Sequence, residues 1–412
     1  MTHIFTITAR NYLAIALTLG DSISKFHPEA KFTICVADGI EGLGDVLKNP
    51  NHTLLDVPKI FDKAEINDLA FKYNITEYCT SVKPAIFRHI FDTEKDVDLV
   101  YYMDPDTCLF SRLDPITAGA PGKTLYLAPH LIDCRIADSH GYPEYRHLWE
   151  GIFNLGFCAI RRTQRSAEII DWWDARLREY CYADHLDGLH TDQKWMDYAP
   201  VFFGDTLEIV RHKGVNVAHW NISERPIEVV AGQPYAGGQS LIFFHFSGFD
   251  FKGDMLTKHS PVETQRQYLT QALTEMSKAY RDNVKRNDFD RFITIPYAFG
   301  TFEDGTPITQ PIRRLYRVTS KERSFVTPFS STSDFYQAAA RAGLLDRSSA
   351  ARSNYTKATV TNLDSKLDHM ASLLRFALKA IGFRRYAQLV KLAGYLGRFE
   401  NHVFLLGKKR DA

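Results

Sequence analysis

The opening of the chain constrains the fold more than any other stretch. His3 to Thr8 is a short β-rich run that breaks at Ala9-Arg10-Asn11. Leu13, Ala16, Leu17, Leu19 and Ile23 then recur at helical spacing towards Pro28, and a second apolar run, 31–37, ends at Asp38-Gly39. Strand, helix and strand joined by short polar turns is the pattern of a parallel sheet with a crossover helix. Ligands of such sheets sit beyond the carboxyl ends of the strands, so Thr8 to Asn11 and Asp38 are candidates by position.

Downstream patterning predicts strands at 97–103, 125–128, 156–161, 201–203 and 241–246. Helices are expected at 80–91, 166–181 and 261–285, the second holding Trp172 and Trp173 as core residues. After about Arg317 the texture changes: 320–355 reads as linker with a short helix near 334–342, and 364–404 as one or two amphipathic helices. The fold class expected is α/β with a mostly helical C-terminal appendage. Residues 1–317 would form the nucleotide-binding domain, with an acceptor-side module from about 256, and 318–412 the linker and helical region.

With 412 residues, 45% hydrophobic and 24% charged, the chain has ample material for a large core. A net charge of +1 gives no reason to expect a nucleic-acid partner. Six cysteines stand singly, without a C-x-x-C pair, and read as buried reduced thiols. No segment approaches ~18 uninterrupted apolar residues, so a cytoplasmic protein, or one lying on a membrane from the cytosolic side, is expected.

Asp104-Pro105-Asp106 is the sharpest motif. Two carboxylates at the end of a buried strand project into the ligand crevice, where hard oxygen ligands suit Mg²⁺ or Mn²⁺ and the metal would neutralise a diphosphate. A plain turn would also use Asp-Pro, so the pair by itself leaves both readings open. His245 closes the apolar run 241–244 at a strand end, where it could meet the two carboxylates or be a core histidine.

In order along the chain, six short motifs together resemble the GT-A-fold (Rossmann-like) nucleotide-sugar glycosyltransferases, most closely the retaining enzymes of glycosyltransferase family 8. Ile4 to Tyr12 is similar to the family's first strand and Asn-Tyr turn. Ser81 to Arg88 resembles its basic helix, Tyr101 to Asp106 its metal motif, and Phe153-Asn154-Leu155-Gly156 its donor-sugar and acceptor segment. Asp192-Gln193 resembles the pair near the anomeric carbon, and His245-Phe246-Ser247-Gly248 the motif whose histidine is the third metal ligand.

The resemblance implies metal ligation by Asp104, Asp106 and His245. It implies nucleotide and donor contacts from Thr8, Arg10, Asn11, Tyr12, Lys83, Arg88 and Lys252. Asn154 and Gly156 would lie at the sugar and acceptor, and Asp192 and Gln193 would be catalytic. Mn²⁺ or Mg²⁺, a nucleotide-sugar donor (a UDP-sugar) and a glycan or lipid-linked acceptor follow. Two departures stand out: Ala9-Arg10 replaces the acid usual before Asn-Tyr, and Lys252 comes one residue later than the family's lysine. A sugar-phosphate nucleotidyltransferase and a non-catalytic nucleotide-sugar binding protein are the alternatives. The first fits less well, because Thr6 to Asn11 has no glycine.

The tail carries Lys366, Arg375, Lys379, Arg384, Arg385, Lys391, Arg398, Lys408, Lys409 and Arg410 beside an apolar stripe broken at Gly382 and Gly394. Such a stripe packs on the catalytic domain or a second subunit, or lies peripherally on an anionic membrane.

Overall fold

A seven-stranded sheet organises the larger of two compact units, residues 1–61 with 75–297. The computed structural model describes residues 1–134, 142–253, 256–260, 262–323, 325–347 and 363–407. Its strands are β1 (Thr2–Thr8), β2 (Lys31–Val36), β3 (His52–Asp56), β4 (Leu99–Met103), β5 (Thr107–Leu109), β6 (Leu125–Pro129) and β7 (Phe153–Arg161). They continue as β8 (Ala183–Asp184), β9 (Leu189–His190), β10 (Leu207–Ile209), β11 (Ile227–Val230), β12 (Gln233–Ala236), β13 (Gln239–Ser240) and β14 (Phe243–His245).

The main sheet runs β10-β6-β7-β4-β1-β2-β3. Every neighbouring pair is parallel except those of β7, which is antiparallel to both β4 and β6. β4 is buried along its whole length, and β1 and β2 all but their first residue, as strands of a covered sheet must be. The α/β architecture expected from the opening βαβ unit is therefore present. Helix Leu13–Phe26 is the crossover from β1 to β2; its Leu13, Ile15, Ala16, Leu19 and Ile23 pack in the core with Phe32, Ile34 and Val36.

Several expected elements change. The stretch 201–203 is not a strand: Ala199–Phe202 is a short helix, with Pro200 in the first turn where its missing N–H costs nothing. The helix expected over 80–91 is two, Ile75–Ser81 and Lys83–Thr93, the second again opening on a proline, Pro84. That over 261–285 divides into Val262–Arg266 and Gln271–Arg286, where Thr270 caps the second by accepting from Leu273 N–H at 3.2 Å. Strands β3 and β10 were not foreseen. All six cysteines are free, but not all are buried as expected: Cys79 is half-buried and Cys134 is exposed.

The second unit joins 62–74 to 298–412. Phe71, from helix Lys63–Lys72, meets the rings of Tyr316 at 4.5 Å, Phe329 at 5.0 Å and Phe302 at 5.5 Å, which explains why this early segment belongs here. Arg313 donates to the carbonyls of Ala70, Phe71 and Tyr73 at 2.7–2.8 Å and so satisfies the open end of that helix. The division expected near Arg317 falls inside helix Gln310–Glu322.

In the tail, helix Leu363–Leu396 bends at Gly382 (φ 74°), and a 3₁₀ segment follows over Phe399–Leu406. Glu400 is gripped by Arg317 at 3.3 Å and Arg314 at 3.7 Å, while Val403 and Leu406 pack on this unit's core. Residues 348–362, with Tyr355, and Lys408, Lys409 and Arg410 lie outside the described residues. Among the described residues no helix is long and apolar enough to cross a membrane.

Candidate active site

Two hydrogen-bond ladders fix where the chemistry converges. β4 ends at Met103, opposite Phe157 of β7, and Asp104 N–H donates to Gly156 O at 2.8 Å. Because β7 runs antiparallel, its first residues lie at the edge where β4 finishes, so Asn154 and Gly156 stand beside Asp104. The second ladder pairs β5 with β14, Thr107 opposite His245, and is extended by Phe246 N–H donating to Asp106 O at 2.8 Å. It carries His245 to the same place. Its Nε2 lies 3.1 Å from Asp106 Oδ1 and 3.7 Å from Asp104 Oδ2.

The imidazole is held from behind. Asn216 Oδ1 lies 3.1 Å from its Nδ1, and Trp220 meets the ring edge-on at 5.2 Å. Asn216 in turn donates from Nδ2 to Asn154 Oδ1 at 2.9 Å, an oxygen that also accepts from Gly156 N–H at 3.1 Å. With Nδ1–H on Asn216, the Nε2 lone pair is aimed at the carboxylates, the tautomer a metal ligand needs. Tyr102 O–H donates to Asp104 Oδ1. One oxygen of each aspartate and one nitrogen of His245 lie within 4.8 Å of one another, a donor set and spacing that fit a divalent cation.

Burial pushes Asp104 upward in pKa against the pull of Lys83 and His245. Desolvation would raise partly buried Asp106 as well, but the adjacent imidazole holds it down. Burial would lower His245, yet the attraction of Asp106 wins and raises it.

Lys83 and Asp192, distant in sequence, form a buried ion pair nearby. Lys83 also donates to Leu155 O at 2.8 Å, and its ammonium sits 3.9 Å from the centre of the Tyr102 ring. Burial pulls the Lys83 pKa down, but Asp192 and Asp104 outweigh it and the ammonium stays charged. Gln193 spans two backbone groups, accepting from Leu155 N–H at 3.4 Å and donating to Glu150 O at 2.7 Å. Thr191 lies at φ 47°, and the short helix Lys194–Tyr198 begins from Gln193.

Asp104, Asp106, His245, Lys83, Asp192, Gln193, Asn154 and Gly156 all line one cavity of about 660 Å³. Other expected residues lie off that wall. Arg88 pairs with Asp171 at 2.7 Å and Asp174 at 3.2 Å, and Lys252 is exposed. Thr8, Arg10, Asn11 and Tyr12 occupy the carboxyl end of β1, where Arg10 donates its backbone N–H to Asp38 Oδ1 at 2.8 Å and its Nε to Asp38 Oδ2 at 3.4 Å. Buried Asn11 Oδ1 has no hydrogen-bond partner among the described residues.

Sequence reasoning missed much of the rest of the lining: His130, Glu150, His190, His219, Trp220 and His259. Apart from the adjacent His219 and Trp220 they come from separate segments, with no spacing to reveal them. Lys258, not Lys252, is the lysine that follows His245 and lines the cavity.

No family model matches the chain. It is similar to two Bacillus subtilis (strain 168) proteins described as uncharacterized. With YfnF it shares 24% identity over 250 residues, 59% of this chain and 80% of YfnF. With YfnD it shares 30% over 177 residues, 42% of this chain and 54% of YfnD, so it spans about half of that relative. Among solved structures it is similar to the galactosyltransferase LgtC in complex with donor and acceptor sugar analogues. That match has 14% identity and a TM-score of 0.43, covering 72% of this chain and 98% of that one. Identities this low, with a TM-score below 0.5, leave the chemistry to be read from the residues of the cavity.

Proposed function

We propose that this protein is a metal-dependent glycosyltransferase that moves a sugar from a nucleotide-diphosphate sugar, a UDP-sugar, to a glycan or lipid-linked acceptor. The observation that carries the reading is the convergence of Asp104, Asp106 and a back-supported His245 at the carboxyl edge of the sheet, in one cavity with Lys83, Asp192 and Gln193. The six motifs in family order support it independently, and they alone carry the expectation that the sugar's configuration is retained.

Asp104, Asp106 and His245 would hold Mn²⁺ or Mg²⁺, which neutralises charge on the departing diphosphate. Lys258, exposed in the lining of the same cavity, would add a positive charge there. Lys83, its charge matched by Asp192, positions the Asp192–Gln193 segment. Gln193, its amide pinned at both ends, presents a fixed dipole to the sugar, the kind of preorganised group that favours a transition state over a ground state. At the end of β1, the unsatisfied Asn11 Oδ1 and the Arg10–Asp38 pair are suited to the nucleoside.

The tail extends the proposal to a surface. Along Leu363–Leu396, Leu373, Phe376, Phe383 and Leu389 are exposed, and so are Arg375, Lys379, Arg384 and Arg385. Apolar and basic side chains together suit the headgroup layer of an anionic membrane, where each near-surface cation adds about 1 kcal/mol. The protein would then act peripherally at a cytosolic leaflet, in surface polysaccharide synthesis. Flotation with phosphatidylserine vesicles at low salt checks this, and failure to float refutes it.

Incubation with Mn²⁺ and a panel of nucleotide sugars tests the central reading. Slow release of free nucleoside diphosphate, stopped by chelator, is expected. Pyrophosphate exchange would point instead to a nucleotidyltransferase, and binding without turnover, even with acceptors, to a sensor.

A further inference from the structure

Beside the first site, and partly lining the same cavity through His130 and Glu150, lies a second group of metal-ligating side chains, completed by His147. His130 follows β6 directly, and its backbone N–H donates to Ile152 O at 2.9 Å. His147 and Glu150 sit at opposite ends of the short helix His147–Glu150 that leads into β7. The rings of His130 and His147 stack at 4.4 Å between centroids, 23° from parallel. One nitrogen of each ring and one oxygen of Glu150 lie within 4.8 Å of one another.

His147 is the telling residue. It is 6% exposed, and neither ring nitrogen has a hydrogen-bond partner among the described residues. Its Nδ1 lies 3.3 Å from Glu150 Oε2 without hydrogen-bond alignment. A buried polar atom left unsatisfied costs about 1–3 kcal/mol, so a fold that keeps one in a polar wall has a reason to. The 3.3 Å separation is also about what two ligands of one tetrahedral ion show, given bonds of roughly 2.0–2.2 Å. Glu150 is oriented from outside by Tyr142, whose O–H donates to Oε1, as outer-shell partners of metal sites do.

We propose that His130, His147 and Glu150 form a second cation site, of the kind two imidazoles and one carboxylate make for Zn²⁺, one ring turning out of the stack on binding so that both in-plane lone pairs reach the ion. Asn154 lies between the two sites: its Nδ2, a donor 3.3 Å from His130 Nε2, would yield that lone pair to an ion bound there, and its Oδ1 accepts from the Asn216 that backs His245. The hard-oxygen pair Asp104–Asp106 suits Mn²⁺ or Mg²⁺, whereas the imidazole pair suits Zn²⁺, so the two sites would sort different ions.

The site is separable from the glycosyltransferase reading, and so is its test. Full-length protein carrying Asp104→Asn and Asp106→Asn is stripped with chelator and titrated with Co²⁺ alone, then with Zn²⁺ against a chromophoric chelator. One tightly held ion with intense visible Co²⁺ bands is expected. Adding the isosteric Glu150→Gln should weaken it by more than the ~10–100-fold that loss of an outer-shell partner costs. His147→Asn should abolish the bands, and thermal unfolding of the metal-free variants checks the fold. Absence of a tight ion, or affinity indifferent to Glu150→Gln, overturns the proposal and leaves His147 and Glu150 as a proton-sharing pair.

Discussion

Gly156→Ala is the smallest change that probes the metal geometry without touching a proposed ligand. A Cβ at this position would lie 2.4 Å from His245 Cε1 and 2.8 Å from both His245 Nδ1 and Asn154 Oδ1. Carbon atoms rest at ~3.5–4.0 Å, so the ring would have to retreat by about 1 Å. It cannot retreat freely, because Asn216 holds Nδ1, Trp220 lies across its edge and the β5–β14 ladder fixes its backbone. Metal–ligand distances tolerate only ~0.2 Å. The displacement is several times that, so cation affinity should fall by at least the ~10–100-fold seen when a ligand loses its orienting partner. Overpacking should cost the fold about 1–3 kcal/mol. Calorimetric titration with Mn²⁺, alongside urea unfolding, reads both effects. A Gly156→Ala protein that unfolds less readily than wild type and binds Mn²⁺ equally well would refute the reasoning.

Lys83→Ala should destabilise the protein by about 3–5 kcal/mol, since it strands Asp192 in a buried place; Lys83→Met with Asp192→Leu should recover most of that in urea unfolding, and no recovery would mean the pair is not the cause. Acid should weaken the fold through the buried histidines. Burial, with His259 and His245 nearby, pushes His219 down from 6.5 to about 3. The unfolded chain therefore takes up that proton first as pH falls, and the stability His219 contributes is whole above about 6.5 and lost progressively towards about 3. In metal-free protein, His219→Gln should flatten the fall of unfolding free energy in this window by up to ~1.4 kcal/mol per pH unit; an unchanged slope would sink the assignment.

How far the sequence foretold this arrangement depends on whether a feature was local. The βαβ opening, the buried strand before Asp104 and the apolar run before His245 were legible because period and termination lie within a few residues. Residues 201–203 misled because an apolar triplet does not announce its period, and Pro200 favours a helix start. Lys83 and Asp192 were both singled out, but their pairing belongs to the packing of Lys83–Thr93 under the start of β7 and could not be read from either motif. Arg88 looked like a diphosphate ligand until its turn of helix proved to face Asp171 and Asp174. Asn154, expected at the sugar, lines the cavity, but the use of its Oδ1 by Gly156 and Asn216 could not be read from its motif. The histidine wall left no trace at all, being assembled from positions with no common spacing. The early segment 62–74 likewise joins the second unit through Phe71 and through the carbonyls that Arg313 binds, whose partners lie far along the chain.

The most direct test of the central claim is anomalous diffraction at the manganese edge from crystals grown with Mn²⁺ and a non-hydrolysable nucleotide sugar. The account predicts a peak within bonding distance of Asp104, Asp106 and His245 Nε2 and of diphosphate oxygens, with the sugar beside Gln193. A nucleotide sugar bound in the cavity with its diphosphate away from these three residues, and no manganese peak among them, would contradict it.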